Sequence, residues 1–514
     1  MNDLLIKNCR LLGENSSVDI HIKDGLIHNI ESFIKPSNLT QMIDAEDNTV
    51  LPGLDDSHLH LLSLSLNKRL INVRGELSKE KLMSICNDAR PNYGGWIVAK
   101  GYDENKFTSN FTLDRNFLDE HCGSSPAIFY RVCGHVAVLN TKALEALNID
   151  SNTTVFGGEL LKDTLGELTG VITEKALNLV KLPQLQEADL VEILTEGIRY
   201  VKSMGITSVQ TDDLSVAQDY KSLWSIYTKA IENEPLRVYL HYNANNVEDI
   251  ISAAQIFKEI DDTTYIKKGS IKVFLDGSLG ARTAALKEDY SDCPNYKGVL
   301  TYSDRELDEM VKVAVENGLQ LALHAIGDKA MSQGIESIRK ADSKTDLRHR
   351  IIHCQVTDNK IIGDMADLNI IAEIQPTFLI TDMDWAESRL GKRIEGCYAF
   401  KTMLDEGIIV SGGSDCPVEP VNPFLGLYSA VTRKNLQENP KNGWLPDEKL
   451  DLTQAVEIYT QGSAYASFDE QRKGKIQKGF YADLVILDTD LEAIKPEKIK
   501  DVKVTKTLIA ASIN

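Results

Sequence analysis

A chain of 514 residues, 42% hydrophobic and 26% charged, has the proportions of a globular protein with a large core and the length for two or three domains. Its formal net charge of −20 excludes the basic footprint that nucleic-acid binding requires and points to an acidic, well-solvated surface. The eight cysteines are scattered without a C-x-x-C pair, which argues against a disulfide framework or a zinc finger. Neither Asp3–Arg10 nor any later run has the apolar length of a leader or a membrane span, so a cytoplasmic location away from membranes is expected.

The first 48 residues read as short alternating strands. Val18–Ile22 and Leu26–Ile30 flank Lys23-Asp24-Gly25, a good hairpin turn, with His21 and His28 as surface residues beside it. Matching strand runs recur at Gly479–Leu487 and Val502–Ile509. Strand-rich ends around an α/β middle predict one composite β-sandwich built from residues 1–48 and 463–514.

Thr49-Val50-Leu51 then runs into Pro52-Gly53, and the chain continues to His58-Leu59-His60. Residues i and i+2 share a strand face, so both imidazoles can converge on one ion, with zinc, iron, nickel or copper as candidates. Two histidines on one strand face are more often polar surface. Three later segments change that balance. Leu319–His324 and Arg350–His353 are apolar runs ending in histidine, and Ile408-Ile409-Val410 passes through small residues into Ser414-Asp415. Ligands at the C-terminal ends of several buried parallel strands are the layout of a (β/α)8 barrel. The other strands are read at Gly205–Gln210, Leu236–His241, Ile271–Leu275 and Ile370–Ile374, with helices such as Asp304–Asn317 between them.

The fold prediction is therefore α/β, with a TIM-type barrel over residues 49–62 and 191–462 and an insertion at 63–190 after barrel strand 1. Because the insertion leaves the barrel at the C-terminal end of a strand, it is expected to cap the site. Cys354 and Cys416 each follow a proposed ligand and point to the opposite strand face. His121, His241 and His349 lack a metal-like context and are read as structural.

Together with Gly134-His135-Val136-Ala137-Val138-Leu139-Asn140, Asp276–Ala284, His324–Asp328 and Ser414–Val418, these motifs resemble the amidohydrolase superfamily. Within it they resemble the amidohydrolase-3 (YtcJ-like) branch, which includes N-substituted formamide deformylases. The resemblance covers nearly the whole chain and is specific for fold and metal rather than for substrate. It implies a metal-dependent hydrolase of C–N bonds, acting on amide, N-acyl or N-formyl small molecules with a metal-activated water. His58, His60 and Asp415 would hold one divalent ion and His324 and His353 a second, both zinc, bridged by a carboxylated Lys272. Asp276 has the same strand parity and is the competing inward carboxylate. Asp415 would double as general acid and base.

His135, Tyr102, Arg282, Gln355 and Trp385 are expected to meet the substrate, with a structural ion pair as the alternative for Arg282. Two other functions compete. A mononuclear deaminase of the superfamily would carry a Glu shortly after the strand-5 histidine, where this chain has Ala325-Ile326-Gly327-Asp328-Lys329. A non-catalytic scaffold would be expected to have lost metal ligands. The expected partner is a small molecule, and a homodimer is one candidate assembly.

Overall fold

Eight mostly apolar runs pair in parallel into one sheet in the computed structural model, which describes residues 3–36, 41–109, 111–133, 135–341, 346–510 and the backbone of 512–513. Gly134 of the Gly-His motif lies outside the described residues. In chain order the strands are β1 (Leu54–Leu59), β2 (Ile206–Thr211), β3 (Arg237–Asn243), β4 (Ile266–Phe274), β5 (Leu321–Ala325), β6 (Arg350–His353), β7 (Ile371–Ile374) and β8 (Val410–Gly412). Their order in space is their order in sequence. Helices such as Asp304–Glu316 fill the connections. That helix starts where Ser303 and Glu306 form a capping box, and it buries Leu307, Met310, Val311 and Ala314 along one stripe.

β1 and β8 stand at the two ends of the sheet. Just past β8 the seam is bridged: the Asp415 N–H donates to the His58 carbonyl at 2.7 Å and the Ser414 N–H to Asp56 Oδ1 at 3.0 Å. Only glycine fits at position 413, because a Cβ there would stand 2.6 Å from the His58 nitrogen. The result is a nearly closed eight-stranded barrel consistent with the TIM type.

Several strand starts differ from expectation, β5 beginning at Leu321 rather than Leu319 among them, and two of the differences have a clear cause. β4 begins at Ile266 rather than Ile271, because Lys267 reaches Asp469 and Lys268 Nζ donates to the Ile260 carbonyl at 2.7 Å, so polar residues sit comfortably in a strand. β8 begins at Val410 rather than Ile408. The Ile408 N–H instead closes the preceding helix by donating to the Met403 carbonyl at 3.0 Å.

The terminal strands form two four-stranded sheets. One orders Leu26–Glu31, Val18–Lys23, Leu4–Cys9 and Gln41–Asp44, with a hairpin turn at Asp24 and Gly25, whose φ values are 52° and 79°. The other contains Leu484–Leu487 and Val504–Ile509, and Val50–Pro52 pairs antiparallel with the first of these. Leu4, Ile6, Ile20, Leu484, Ile486 and Leu508 share one buried cluster, each side chain worth about 1.5–3 kcal/mol of burial.

The chain divides into two compact units, Met1–Ser63 with Thr195–Asn514, and Leu64–Leu194. Taken alone, the second holds a six-stranded sheet whose strands bury alternate residues on opposite faces: Ile97, Ala99 and Phe129 in one cluster, Val98 and Ile128 in the other. Among the described residues no helix is long and apolar enough to cross a membrane.

Candidate active site

The C-terminal ends of the barrel strands gather a set of polar side chains that the apolar strands themselves could not solvate. His58 lies within β1 and is buried, and His60 follows directly after the strand. Strand register then pairs Phe274 of β4 with His324 of β5, and Ala325 with His353 of β6. His353 and Asp415 take φ values of 80° and 55°. Non-glycine residues enter this left-handed region at a cost of about 1–3 kcal/mol, and do so mainly where a site requires it.

Outer contacts fix the ring orientations. His60 Nδ1 faces the Asp212 carbonyl at 2.5 Å, His324 Nε2 the Gly277 carbonyl at 3.1 Å, and His353 Nδ1 the Gln375 Oε1 at 2.7 Å. At His324 and His353 that nitrogen carries the ring proton, so the opposite nitrogen presents a lone pair, whereas His60 would free its Nε2 from the proton shared with Asp415 only on taking up a metal. The lone pairs converge. His353 Nε2 stands 3.0 Å from His324 Nδ1, and the His58 and His353 rings are 5.6 Å apart. Asp415 Oδ1 lies 3.4 Å from His58 Nε2 and 3.3 Å from His60 Nε2.

This donor set fits a divalent metal. The ligand atoms of His58, His60 and Asp415 all lie within 4.8 Å of one another. Burial, reinforced by the Lys272 charge, pushes His324 down to about 3, and burial with the neighbouring His324 holds His353 well below its ordinary value. Two neutral acceptors cannot hydrogen-bond each other, so their 3.0 Å approach calls for a cation, and zinc–nitrogen bonds of about 2.0–2.1 Å span such a gap. His58 is likewise held well below its usual value by burial and by Lys272. His60 is the exception: burial lowers it, but the hydrogen bond and charge of Asp415, with Asp213 and Asp212, outweigh this and lift it to about 9.

The two candidates on β4 and just beyond it part company. Asp276 accepts backbone N–H groups from Ile326 at 3.0 Å, Gly327 at 2.8 Å and Ala285 at 2.9 Å. Burial raises its carboxyl to about 7 against those bonds. Its oxygens tie the loop after β5 to the segment after β4. Lys272 is fully buried and sets Nζ 3.2 Å from His58 Nε2.

Among the residues expected to meet substrate, Arg282 forks onto Asp292 at 3.0 and 2.9 Å, the ion pair that was its alternative. Gln355 donates to Asp382 Oδ2 at 3.1 Å. Trp385 packs on Gly280, where a Cβ would be 3.5 Å from its ring. Tyr102 and His135 belong to the second unit: Tyr102 is buried beside Phe107, and His135 is exposed with Nδ1 3.4 Å from Glu174.

The description "Amidohydrolase family" attaches to a family model (Amidohydro_3) that matches residues 41–512. The chain belongs to this family. It is 32% identical to YtcJ of Bacillus subtilis (strain 168), over 96% of this chain and 95% of that one. It is 24% identical to an N-substituted formamide deformylase of Arthrobacter pascens, over 91% of this chain and 89% of that one. A solved structure of an uncharacterized metal-dependent hydrolase from Pyrococcus horikoshii OT3 superposes with a TM-score of 0.76 at 27% identity, covering 96% of this chain and 99% of that chain. This amidohydrolase therefore sits in the YtcJ-like branch and among metal-dependent hydrolases.

Several residues of the amidohydrolase centre escaped the sequence reading. Asp56 accepts N–H groups from His58 at 3.2 Å and Ser414 at 3.0 Å, tying strand 1 to the end of strand 8. Arg350 and Glu373 form a fully buried ion pair, and Arg350 also donates to Gln210 Oε1 at 2.5 Å and the Ser57 carbonyl at 3.0 Å. The available signal was a lone acid in the apolar run Ile370-Ile371-Ala372-Glu373-Ile374.

Proposed function

We propose that the enzyme hydrolyses C–N bonds of amide, N-acyl or N-formyl small molecules at a site for two divalent ions, with zinc the expected metal. His58, His60 and Asp415 would hold one ion, His324 and His353 the other, and Lys272, carboxylated, would bridge them. The observation that carries this reading is the continuity of the two donor sets: Lys272 Nζ is 3.2 Å from His58 Nε2, while His353 Nε2 and His324 Nδ1 converge at 3.0 Å. Such ions would lower the pKa of water and polarise a scissile carbonyl.

The chain's own residues supply the rest. Asp415 Oδ1 reaches both first-strand histidines, where a carboxylate can take the proton of the attacking water and return it to the leaving amine. Carboxylation needs the neutral amine of Lys272. Burial lowers its pKa, although the charges of Asp212, Asp415 and Glu373 oppose this. The helix after β5 opens on Asp328, whose Oδ1 accepts the Lys287 N–H at 2.9 Å, so no glutamate stands where the deaminase reading needs one. The two terminal sheets would act as one composite sandwich, a reading supported by their common buried cluster.

The test is turnover of a panel of N-acyl and N-formyl amines by zinc-reconstituted protein, with His58→Ala as the control. Metal-dependent release of free amine supports the proposal. A metal-loaded enzyme that releases ammonia from amino-heterocycles but no amine from the panel overturns it.

A further inference from the structure

Glu373 is an acid placed in the middle of an apolar strand, and its two oxygens have different neighbours. Oε2 accepts from Arg350, at 2.7 Å for Nε. Oε1 is buried with no hydrogen-bond partner, and so is His58 Nδ1. These two orphan atoms face each other at 3.5 Å. A buried carboxylate is costly to leave half satisfied. Pairing with Arg350 alone would account for one oxygen and leave the other idle against a ring nitrogen.

The histidines divide on this point. His60 and His353 turn their outer nitrogens to neutral acceptors, the Asp212 carbonyl and the Gln375 amide. His324 turns Nε2 to the Gly277 carbonyl at 3.1 Å with Asp276 Oδ1 at 3.5 Å, but that carboxylate is already taken up by three backbone N–H groups. Of the four site histidines, His58 is the one whose outer nitrogen faces a carboxylate oxygen with no hydrogen bond of its own. A carboxylate behind a ligating imidazole fixes the tautomer, orients the ring and raises its basicity. Arg350 holds that carboxylate from behind and also donates to the Ser57 carbonyl at 3.0 Å, one residue before His58.

Resting on the metal-centre reading above, we infer that Glu373 is a positioning residue: its Oε1 accepts the Nδ1 proton of His58 and so aims Nε2 at the ion shared with His60 and Asp415. Removing it weakens that ion first and leaves the His324–His353 pair to hold its own.

The experiment is zinc affinity and stoichiometry by chelator competition, on wild type, His58→Ala, Glu373→Gln, and the double variant Arg350→Met with Glu373→Leu. The double variant removes both buried charges together, so neither is stranded. The expected result is an affinity loss at one of two sites of about 10- to 100-fold, larger in the double variant. Folded variants that bind zinc as wild type does, while His58→Ala does not, would overturn the role of Glu373 alone. Wild-type protein that binds no zinc, or binds it equally well after His58→Ala, would overturn the metal reading itself. Should both Glu373 variants fail to fold, the wild type decides. In zinc-loaded protein with isotope-labelled histidine, His58 must show a protected Nδ1 proton, and a His58 whose Nδ1 lacks that proton overturns the inference.

Discussion

Lys272 Nζ lies 3.2 Å from His58 Nε2, across 214 residues of sequence. An ammonium and an imidazole at this distance form one weak hydrogen bond, and the fully buried cation otherwise has the Phe274 ring at 4.7 Å and the charges of Asp212, Asp415 and Glu373. As a carbamate the same side chain would carry a negative charge and two oxygens, and would turn a repulsive neighbour of bound cations into their bridge.

Replacing Lys272 by Ala should therefore abolish most activity and remove one of two bound ions, while His58 and His60 retain partial hold on the other. Short carboxylic acids should restore part of the activity by filling the vacated space. Intact mass of the zinc- and bicarbonate-treated wild type should exceed the sequence mass by one CO₂. A full complement of metal in Lys272→Ala would sink the bridging role.

Asp415→Asn should keep metal bound but lose turnover, by about 10²–10⁴-fold, since a neutral amide cannot relay a proton. Its Oδ1 position between two imidazoles lets the amide oxygen still act as a ligand. Metal content and kcat measured on the same preparation check this. Near-normal kcat would reduce Asp415 to a ligand only.

The metal-free protein should show a pH signature of His60. In the fold its pKa is lifted from the ordinary 6.5 to about 9, so its proton stabilises the fold fully below about pH 6.5, and that contribution is lost as pH rises through about 9. Metal binding must displace the same proton. The melting-temperature difference between metal-free wild type and His60→Gln should shrink from pH 6.5 to 9; a difference flat in pH would mean that His60 is not held protonated by Asp415.

How far the sequence could be read follows from what each signal depends on. A histidine at or next to the end of an apolar barrel strand announces itself: His353 closes Arg350–His353, and His324 stands one residue before the end of Leu321–Ala325. Glu373 holds the same place in its strand, one residue before Ile374, but as a single acid it matches none of the histidine-ended runs. Its meaning lies in Arg350 and His58, which no local pattern connects to it. Val50–Pro52 likewise pairs with Leu484–Leu487, a partner over 400 residues away, so reading it as the approach to the barrel was the natural local choice. In the second unit Val136–Leu139 pairs with both Ala127–Arg131 and Leu168–Glu174. In the sequence Val136–Leu139 stands out only as part of the Gly-His motif, and nothing local connects it to either partner.

Gly413 offers the most demanding test of how the barrel seam serves the centre. It sits between the end of β8 and Asp415, and its own N–H donates to the Ile374 carbonyl at 2.9 Å. A Cβ added there would meet the His58 nitrogen at 2.6 Å, its Cβ at 3.0 Å and its carbonyl oxygen at 3.0 Å. Two of these are backbone atoms that cannot swing aside, so Gly413→Ala must part β1 from the β8 end. Overpacking of this kind costs about 1–3 kcal/mol. It acts on the segment that carries His58 and on the turn that carries Asp415, so metal affinity should fall together with stability. Ala at the neighbouring Ser411, a buried hydroxyl without a hydrogen-bond partner, should leave both nearly unchanged. Chelator competition and thermal melting on the two variants make the comparison. Gly413→Ala with wild-type metal affinity would show that the seam can open without moving His58 or Asp415.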